Sequence, residues 1–296
     1  MTVAVDTKVR VTHPERVLWP QDGVTKGDLI AYLTAVAPAL LPHLAGRPLS
    51  LTRYPRGIKG GGFYQKNAPT YTPEWVTTYT FQHEDHAVRY ILCQDLPTLQ
   101  WLGNQAVIEI HPWLSRAASP HRPDFAVIDL DPDPPSGFRE AVQAALLIKK
   151  VLDEFGLRGY PKTSGATGVH VYIPVVPRYE YATMAAFAGA VGDLVRDAVP
   201  WLVTRVRAVD RREGKLYVDH LQNVLGKTLA APYSPRPLPG APVSAPVRWD
   251  ELPDVAPDMF TVRTMPARLG AMGDLFAPVL VDQQDLDPVL RALRVL

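Results

Sequence analysis

Residues 125–135 read Phe-Ala-Val-Ile-Asp-Leu-Asp-Pro-Asp-Pro-Pro, an apolar run that acquires Asp129, Asp131 and Asp133 before the prolines end it. Alternation in a strand puts Phe125, Val127, Asp129 and Asp131 on one face, and Ala126, Ile128 and Leu130 on the other. Two carboxylates side by side on a mostly buried strand repel each other and are costly to desolvate as anions. A hard divalent cation bound between them would relieve both costs. A strand whose last residues run into solvent, with Pro132, Pro134 and Pro135 making the turn, fits this stretch alone equally well. Asp133, beyond Pro132, is assigned to that turn.

Working outward, KLYVDHLQN (215–223) repeats the pattern, with Asp219 at the polar end of an apolar strand and on the face of Tyr217. Three acids from two strands could hold one or two cations, the arrangement an in-line nucleotidyl transfer needs. Between them lies SGATGVH (164–170), flanked by GYPKTS and VHVYIP, which reads as strand, glycine loop, strand. Gly165 and Gly168 could turn backbone amides inward as an anion nest, Ser164 adds a hydroxyl and His170 opens the next strand. The loop is not a Walker A motif, because no Gly-Lys-Ser/Thr follows and no helix opens there. A plain hairpin turn explains it as well.

The remaining elements place these motifs in a mixed fold. Thr25-Lys-Gly-Asp28 has capping-box spacing and opens a helix, kinked or restarted at Pro38 and closing near Gly46. LSLTR (49–53) is a strand, RGIKGGGFYQKN (56–67) a basic loop or hairpin, 95–104 a helix and AVIEIH (106–111) a strand. Helices follow at 137–155, capped by Gly156, and at 181–199; 232–257 is an extended surface connection before short C-terminal helices. His83 and His86 fall in a solvated loop. An α/β or α+β sandwich with a cleft fits best.

The chain has 296 residues, a net charge of +1 and one cysteine, Cys93, so neither a disulfide framework nor a thiolate zinc cluster is available. No apolar run approaches the ~20 residues that cross a bilayer, and MTVAVDTKVR lacks the layout of a secretory signal. A reducing, cytoplasmic setting is expected. Charge is uneven: residues 8–66 carry nine Lys/Arg against three acids, a basic face on the N-terminal part. Arg53, Lys66, Lys227 and Arg236 are candidates to bind a triphosphate or a nucleic-acid backbone. Phe63 and Tyr64 could stack on bases, and His111 could act beside a metal.

Together DLD, SGxxGxH and VDH resemble the catalytic signature of the archaeo-eukaryotic primase superfamily. The polymerase domain of bacterial DNA ligase D, which acts in non-homologous end joining, is the closer match. HPERVLWP, VTKGDLIAYL, GRPLSLTRYP, FYQKNAP, IEIHPW, FAVIDLDP, KTSGATGVHVY, VDHLQN and KTLAAPYSPR look like family blocks in family order, over nearly the whole chain.

The resemblance implies an α+β primase-polymerase fold, two mixed α/β subdomains with antiparallel sheets and the active site in the cleft between them. It treats 1–296 as a single catalytic domain: a basic DNA-end-binding part to about 110, a catalytic part to about 240, and a C-terminal extension. Asp129, Asp131 and Asp219 would hold two Mn²⁺ or Mg²⁺ ions, with His111 close by in a catalytic role. Arg53, Ser164, Gly165, His170, Gln222, Lys227 and Arg236 would surround the nucleotide, commonly a ribonucleotide. Arg16 and Lys26 would hold a DNA 5′-phosphate, Phe63 and Tyr64 would stack on the template, and Lys66 would meet the DNA backbone.

The implied partners are gapped or overhanging DNA ends, NTP or dNTP, a separate ligase and a DNA-end-binding protein, with nucleoid association and no membrane. Thr167 stands where many members carry Lys, Tyr64 where Phe is frequent, and Arg16 where Lys is frequent. No KxDG adenylation motif occurs, so a stand-alone polymerase or an excised domain is expected rather than a ligase. Two other classes fit part of the pattern: a non-catalytic end-bridging module, and a Mn-dependent glycosyltransferase using Asp-x-Asp.

Overall fold

A computed structural model describes residues 6–295. Residues 1–5, half of the stretch read for a secretory signal, lie outside the described residues. The chain forms two compact units, one from Met1–Ala118, Thr228–Ser244 and Phe260–Asp274, the other from Ser119–Lys227, Ala245–Met259 and Leu275–Leu296.

The first unit opens with a two-stranded ribbon, β1 (Val17–Trp19) and β2 (Val24–Thr25), that feeds helix α1 (Lys26–Leu44). The expected capping box closes it: Thr25 Oγ1 accepts from Asp28 N at 3.1 Å, and Asp28 Oδ2 accepts from Thr25 N at 2.8 Å. The helix runs unbroken through Pro38 and Pro42, so the expected restart does not occur. Packing of Leu29, Leu33, Val36 and Leu40, all fully buried, outweighs the two forfeited hydrogen bonds. By length and composition α1 could cross a membrane, contrary to the expectation that no apolar run approaches that size. Its apolar side chains instead form core with the rest of this unit, and Tyr32 Oη donates to Tyr233 O at 2.6 Å.

The sheet of this unit contains β3 (Leu49–Arg53), β4 (Phe63–Gln65), β5 (Thr78–Gln82), β6 (Ala87–Ile91) and, after α2 (Leu96–Asn104), β7 (Val107–Pro112). β3 is central, antiparallel to β4, β6 and β7. The hairpin of β5 and β6, which carries His83 and His86 at its turn, was not anticipated, although Tyr79 and Phe81 alternate with Thr78 and Thr80 as a strand demands.

The second unit is built on a sheet of order β11-β12-β8-β10-β9, with β8 (Phe125–Asp131), β9 (Tyr160–Thr163), β10 (Val169–Pro174), β11 (Val203–Thr204) and β12 (Leu216–Asp219). All pairings are antiparallel except that of the short edge strand β11 with β12. Helices α3 (Phe138–Glu154) and α4 (Tyr181–Ala198) pack on the face carrying Val218, Leu130 and Val171. α4 comes so close that a Cβ at Gly192 would lie 3.1 Å from Val218 Cγ1. Beyond Gly156, at φ +67° as expected of a helix stop, the chain enters β9. The last two α-helices are α5 (Met265–Met272), in the first unit, and α6 (Asp287–Ala292), in the second. Mixed helices and antiparallel sheets make this an α+β protein, as expected.

Candidate active site

Register decides what the uncovered face of the second sheet presents. Asp129 sits directly opposite Asp219 on one neighbouring strand and opposite His170 on the other. His170 in turn pairs with Lys162. Directly opposed residues share a face, so Asp219, Asp129, His170 and Lys162 form one row across β12, β8, β10 and β9. The two acids that were expected to cooperate from separate strands are therefore cross-strand neighbours.

Gln222 ties them together: its Nε2 lies 3.1 Å from Asp219 Oδ2 and 3.4 Å from Asp129 Oδ2. Asp219 Oδ1 accepts from Leu221 N at 2.8 Å and from Tyr217 Oη at 3.3 Å. His170 Nε2 is 3.3 Å from Asp129 Oδ1, whose side chain is 14% exposed. Burial, the neighbouring Asp219 and then Asp131 push the Asp129 carboxyl up to about 7, with Lys162 and Gln222 opposing. A buried aspartate raised in this way is short of compensating positive charge.

Asp131 departs from the expected trio. It is the exposed member, and its Oδ2 meets Arg212 Nη1 at 3.3 Å while the Arg212 guanidinium lies over the Tyr217 ring at 4.4 Å. Among the described residues no three His, Cys, Asp or Glu side chains are grouped closely enough to hold an ion. The reason is local: two carboxylates converge and the third is turned to an arginine. The oxygen-only donors of Asp129 and Asp219 suit a hard cation, and Asp131, on the same strand face, could join them only by leaving Arg212. Asp133 forms the turn, its carbonyl accepting from Ser136 N at 2.9 Å.

The glycine loop is not an open anion nest. Ser164 Oγ accepts from Ala166 N at 3.1 Å and Gly168 N at 3.0 Å, so the hydroxyl closes the loop on itself with two of the amides that were expected to point at a ligand. Gly165 is needed for its φ of +72°. Gly168 is needed for space, since a Cβ there would lie 2.4 Å from Leu130 O. Gly168→Ala should therefore cost about 2 kcal/mol by overpacking and displace Ser164; a thermal melt and nucleotide binding check it, and unchanged values for both would contradict this packing.

In the first unit the cationic candidates fall into distinct settings. Arg53 is engaged by its own unit: Nε donates to Gln105 O at 3.0 Å, Nη1 to Gln65 Oε1 at 3.0 Å and Tyr71 Oη at 2.7 Å, and Nη2 to Gln105 Oε1 at 3.0 Å. Its guanidinium also lies 5.3 Å from the Phe63 ring centroid. The geometry thus makes Arg53 a support for the Phe63 hairpin, a role beside the nucleotide contact expected of it. Phe63 and Tyr64 are half exposed, at 48% and 53%. Tyr64 Oη meets Thr228 Oγ1 at 3.2 Å, and Lys66 Nζ lies 5.9 Å from the Tyr64 ring.

Sequence reasoning missed Glu109, a carboxylate buried in the basic region. It holds Arg236 Nε at 2.9 Å and lies 3.8 Å from His111 Nε2. Burial alone would raise its pKa, but the hydrogen bond from His111 and the charge of Arg236 prevail and lower it. Its signal was its place two residues before His111 on β7, hence on the same face.

Arg16 is exposed, with Nη1 donating to Pro55 O at 2.9 Å. Lys26 is only 4% exposed, its Nζ near Thr12 Oγ1 at 3.3 Å and Asn104 O at 3.4 Å. Burial and then Arg16 lower the Lys26 pKa. Lys227, in the second unit, is exposed.

Residues 25–276 match the family described as LigD, primase-polymerase domain. The bifunctional non-homologous end joining protein LigD of Bacillus subtilis is 36% identical over 98% of this chain, and the multifunctional LigD of Pseudomonas aeruginosa is 33% identical over 90% of it. The chain spans 47% and 32% of those two relatives, less than half of each. The polymerase domain of Mycobacterium tuberculosis ligase D, solved in complex with DNA, superposes with a TM-score of 0.87 at 30% identity, covering 93% of this chain and 99% of that one. With the acid pair, the serine-closed glycine loop and the His170 strand all present, the chain belongs to the family of LigD primase-polymerase domains, whose class of activity is DNA-directed nucleotidyl transfer.

Proposed function

We propose that this protein is a template-directed nucleotidyltransferase that fills gaps and extends 3′ ends at DNA breaks during non-homologous end joining, with a preference for ribonucleotides. The observation that carries the reading is the row Asp219, Asp129, His170 on one sheet face, its central carboxyl raised to about 7. Such a pair holds negative charge in readiness for cations. Two divalent ions, manganese or magnesium, would neutralise the triphosphate and lower the pKa of the primer 3′-hydroxyl when bound. Asp129 and Asp219 supply their oxygens, and recruiting Asp131 breaks its ion pair with Arg212.

The protein's own side chains divide the remaining work. His170, Gln222 and the Ser164–Gly165 turn line the acid site from the second unit, with Lys227 as a phosphate cation. Arg236 and His111, both held by Glu109, would also bind the nucleotide. Arg53 stiffens the hairpin on which Phe63 and Tyr64 stack against the template. Lys66 meets the DNA backbone, and Arg16 with Lys26 takes the 5′-phosphate. Lys26 is lowered in pKa chiefly by burial, and an incoming phosphate would raise it again. A separate ligase and a DNA-end-binding protein would complete repair.

Extension of a gapped duplex tests the proposal. NTP should be used better than dNTP, and removing the 5′-phosphate should lower extension about tenfold, as expected for losing a charge-assisted contact. Arg16→Ala should abolish that dependence. Equal extension with and without the phosphate would refute end recognition, and better use of dNTP would refute the sugar preference.

A further inference from the structure

Lys162 is a charged group that the mechanism above leaves unused. Its residue is 0% exposed, in β9 at the end of the catalytic row. Taking an ammonium out of water is expensive unless its donors are met, so a lysine in this position is not there for solubility. Its Nζ lies 2.9 Å from His170 Nδ1 and 5.8 Å from the Tyr172 ring centroid.

An ammonium has hydrogens to give and no lone pair to receive with. Nδ1 of His170 must then accept, and a neutral imidazole that accepts at Nδ1 carries its proton at Nε2. The other side of the ring agrees. Nε2 lies 3.3 Å from Asp129 Oδ1, an acceptor whenever that carboxylate is ionised. We infer that Lys162 is a positioning residue that locks His170 in the Nε2–H tautomer, so that His170 meets the site as a hydrogen-bond donor rather than as a metal ligand or proton acceptor.

The chemistry this donor suits is an anionic oxygen. In the resting chain that is the Asp129 carboxylate, and in the working enzyme a phosphate oxygen of the nucleoside triphosphate, a step that rests on the polymerase reading. The Tyr172 ring, two residues along β10 and on the face of His170, lies beside the ammonium. Register does the rest: with Thr163 opposite Val169 across the glycine loop, Lys162 can only fall opposite His170.

Histidine-selective ¹⁵N labelling with two-bond ¹H–¹⁵N correlation reads the tautomer directly in the metal-free, full-length chain, His170→Gln providing the assignment. The wild-type ring should show Nδ1 unprotonated and Nε2 protonated. Lys162→Met should convert it to a mixture or to Nδ1–H and weaken NTP binding about tenfold, with binding of gapped duplex unchanged; Lys162→Arg should restore both. A wild-type ring protonated at Nδ1, or a Lys162→Met ring unchanged in tautomer, overturns the inference. The wild-type spectrum decides the point even if Lys162→Met fails to fold. The expected tautomer in a protein that adds no nucleotide would support the lock and sink the polymerase reading.

Discussion

Asp129→Asn should abolish nucleotide addition and at the same time stabilise the metal-free protein at alkaline pH. On the activity side, removing the central oxygen ligand forfeits several kcal/mol of charge stabilisation, about a thousandfold in rate at ~1.4 kcal/mol per decade. On the stability side, the Asp129 carboxyl titrates at about 7 in the folded chain against 3.8 for an unperturbed aspartate. Between those values the folded state holds the extra proton, so stability falls as pH rises from about 4 and reaches its floor above about 7.

The full cost of ionising Asp129 is at most about 4 kcal/mol for a shift of about three units. Asparagine keeps the shape and escapes that cost. Metal-free melts should therefore coincide near pH 4, with the variant the more stable at pH 8, and Mn²⁺ should narrow the gap. A variant less stable than wild type at pH 8 without metal would mean that burial and the neighbouring acids do not penalise the Asp129 carboxylate.

Asn223→Ala should be the most damaging single change to the second unit. β12 stops pairing with β8 at Asp219, yet β8 continues, and Val127, paired with Tyr172 of β10, would be left without a ladder partner on the β12 side. Asn223, fully buried, supplies one: its Oδ1 accepts from Val127 N at 2.8 Å, and its Nδ2 donates to Val127 O at 2.7 Å and His220 O at 2.9 Å. The side-chain amide thus imitates a strand. Alanine leaves a buried donor and a buried acceptor without it, at about 1–3 kcal/mol each, a large share of the ~5–15 kcal/mol that holds a typical domain together. The loss should appear in the urea midpoint. Activity should fall as well, because Gln222 and Asp219 lie on the turn that Asn223 anchors. A midpoint within experimental error of wild type would contradict this account.

The parts of the site legible in the sequence were those set by local pattern. Alternation placed Asp129 and Asp131 on one face, and the capping box and Gly156 delimited two helices. Register was harder, because it is fixed by which strands meet rather than by any one strand. Lys162 and His170 could have been matched by counting outward from the SGATG turn. Nothing in a linear reading aligned Asp219 with Asp129. The tertiary partners of side chains were not legible: Arg53 looked like a phosphate ligand and also meets Gln65, Tyr71 and Gln105. Asp131 turned to Arg212, and Ser164 closed its own loop. Glu109 was passed over as one acid in an apolar strand, although it organises Arg236 and His111.

The central claim is that the Asp129 and Asp219 carboxylates support metal-dependent, templated nucleotide addition. Its most direct measurement is single-nucleotide extension of a gapped, 5′-phosphorylated duplex as Mn²⁺ is titrated into wild-type protein purified free of metal. No product should form without metal, and with it only the nucleotide complementary to the template should be added, the ribonucleotide faster than the deoxyribonucleotide. Metal-independent addition, or none at any Mn²⁺ concentration, would contradict it.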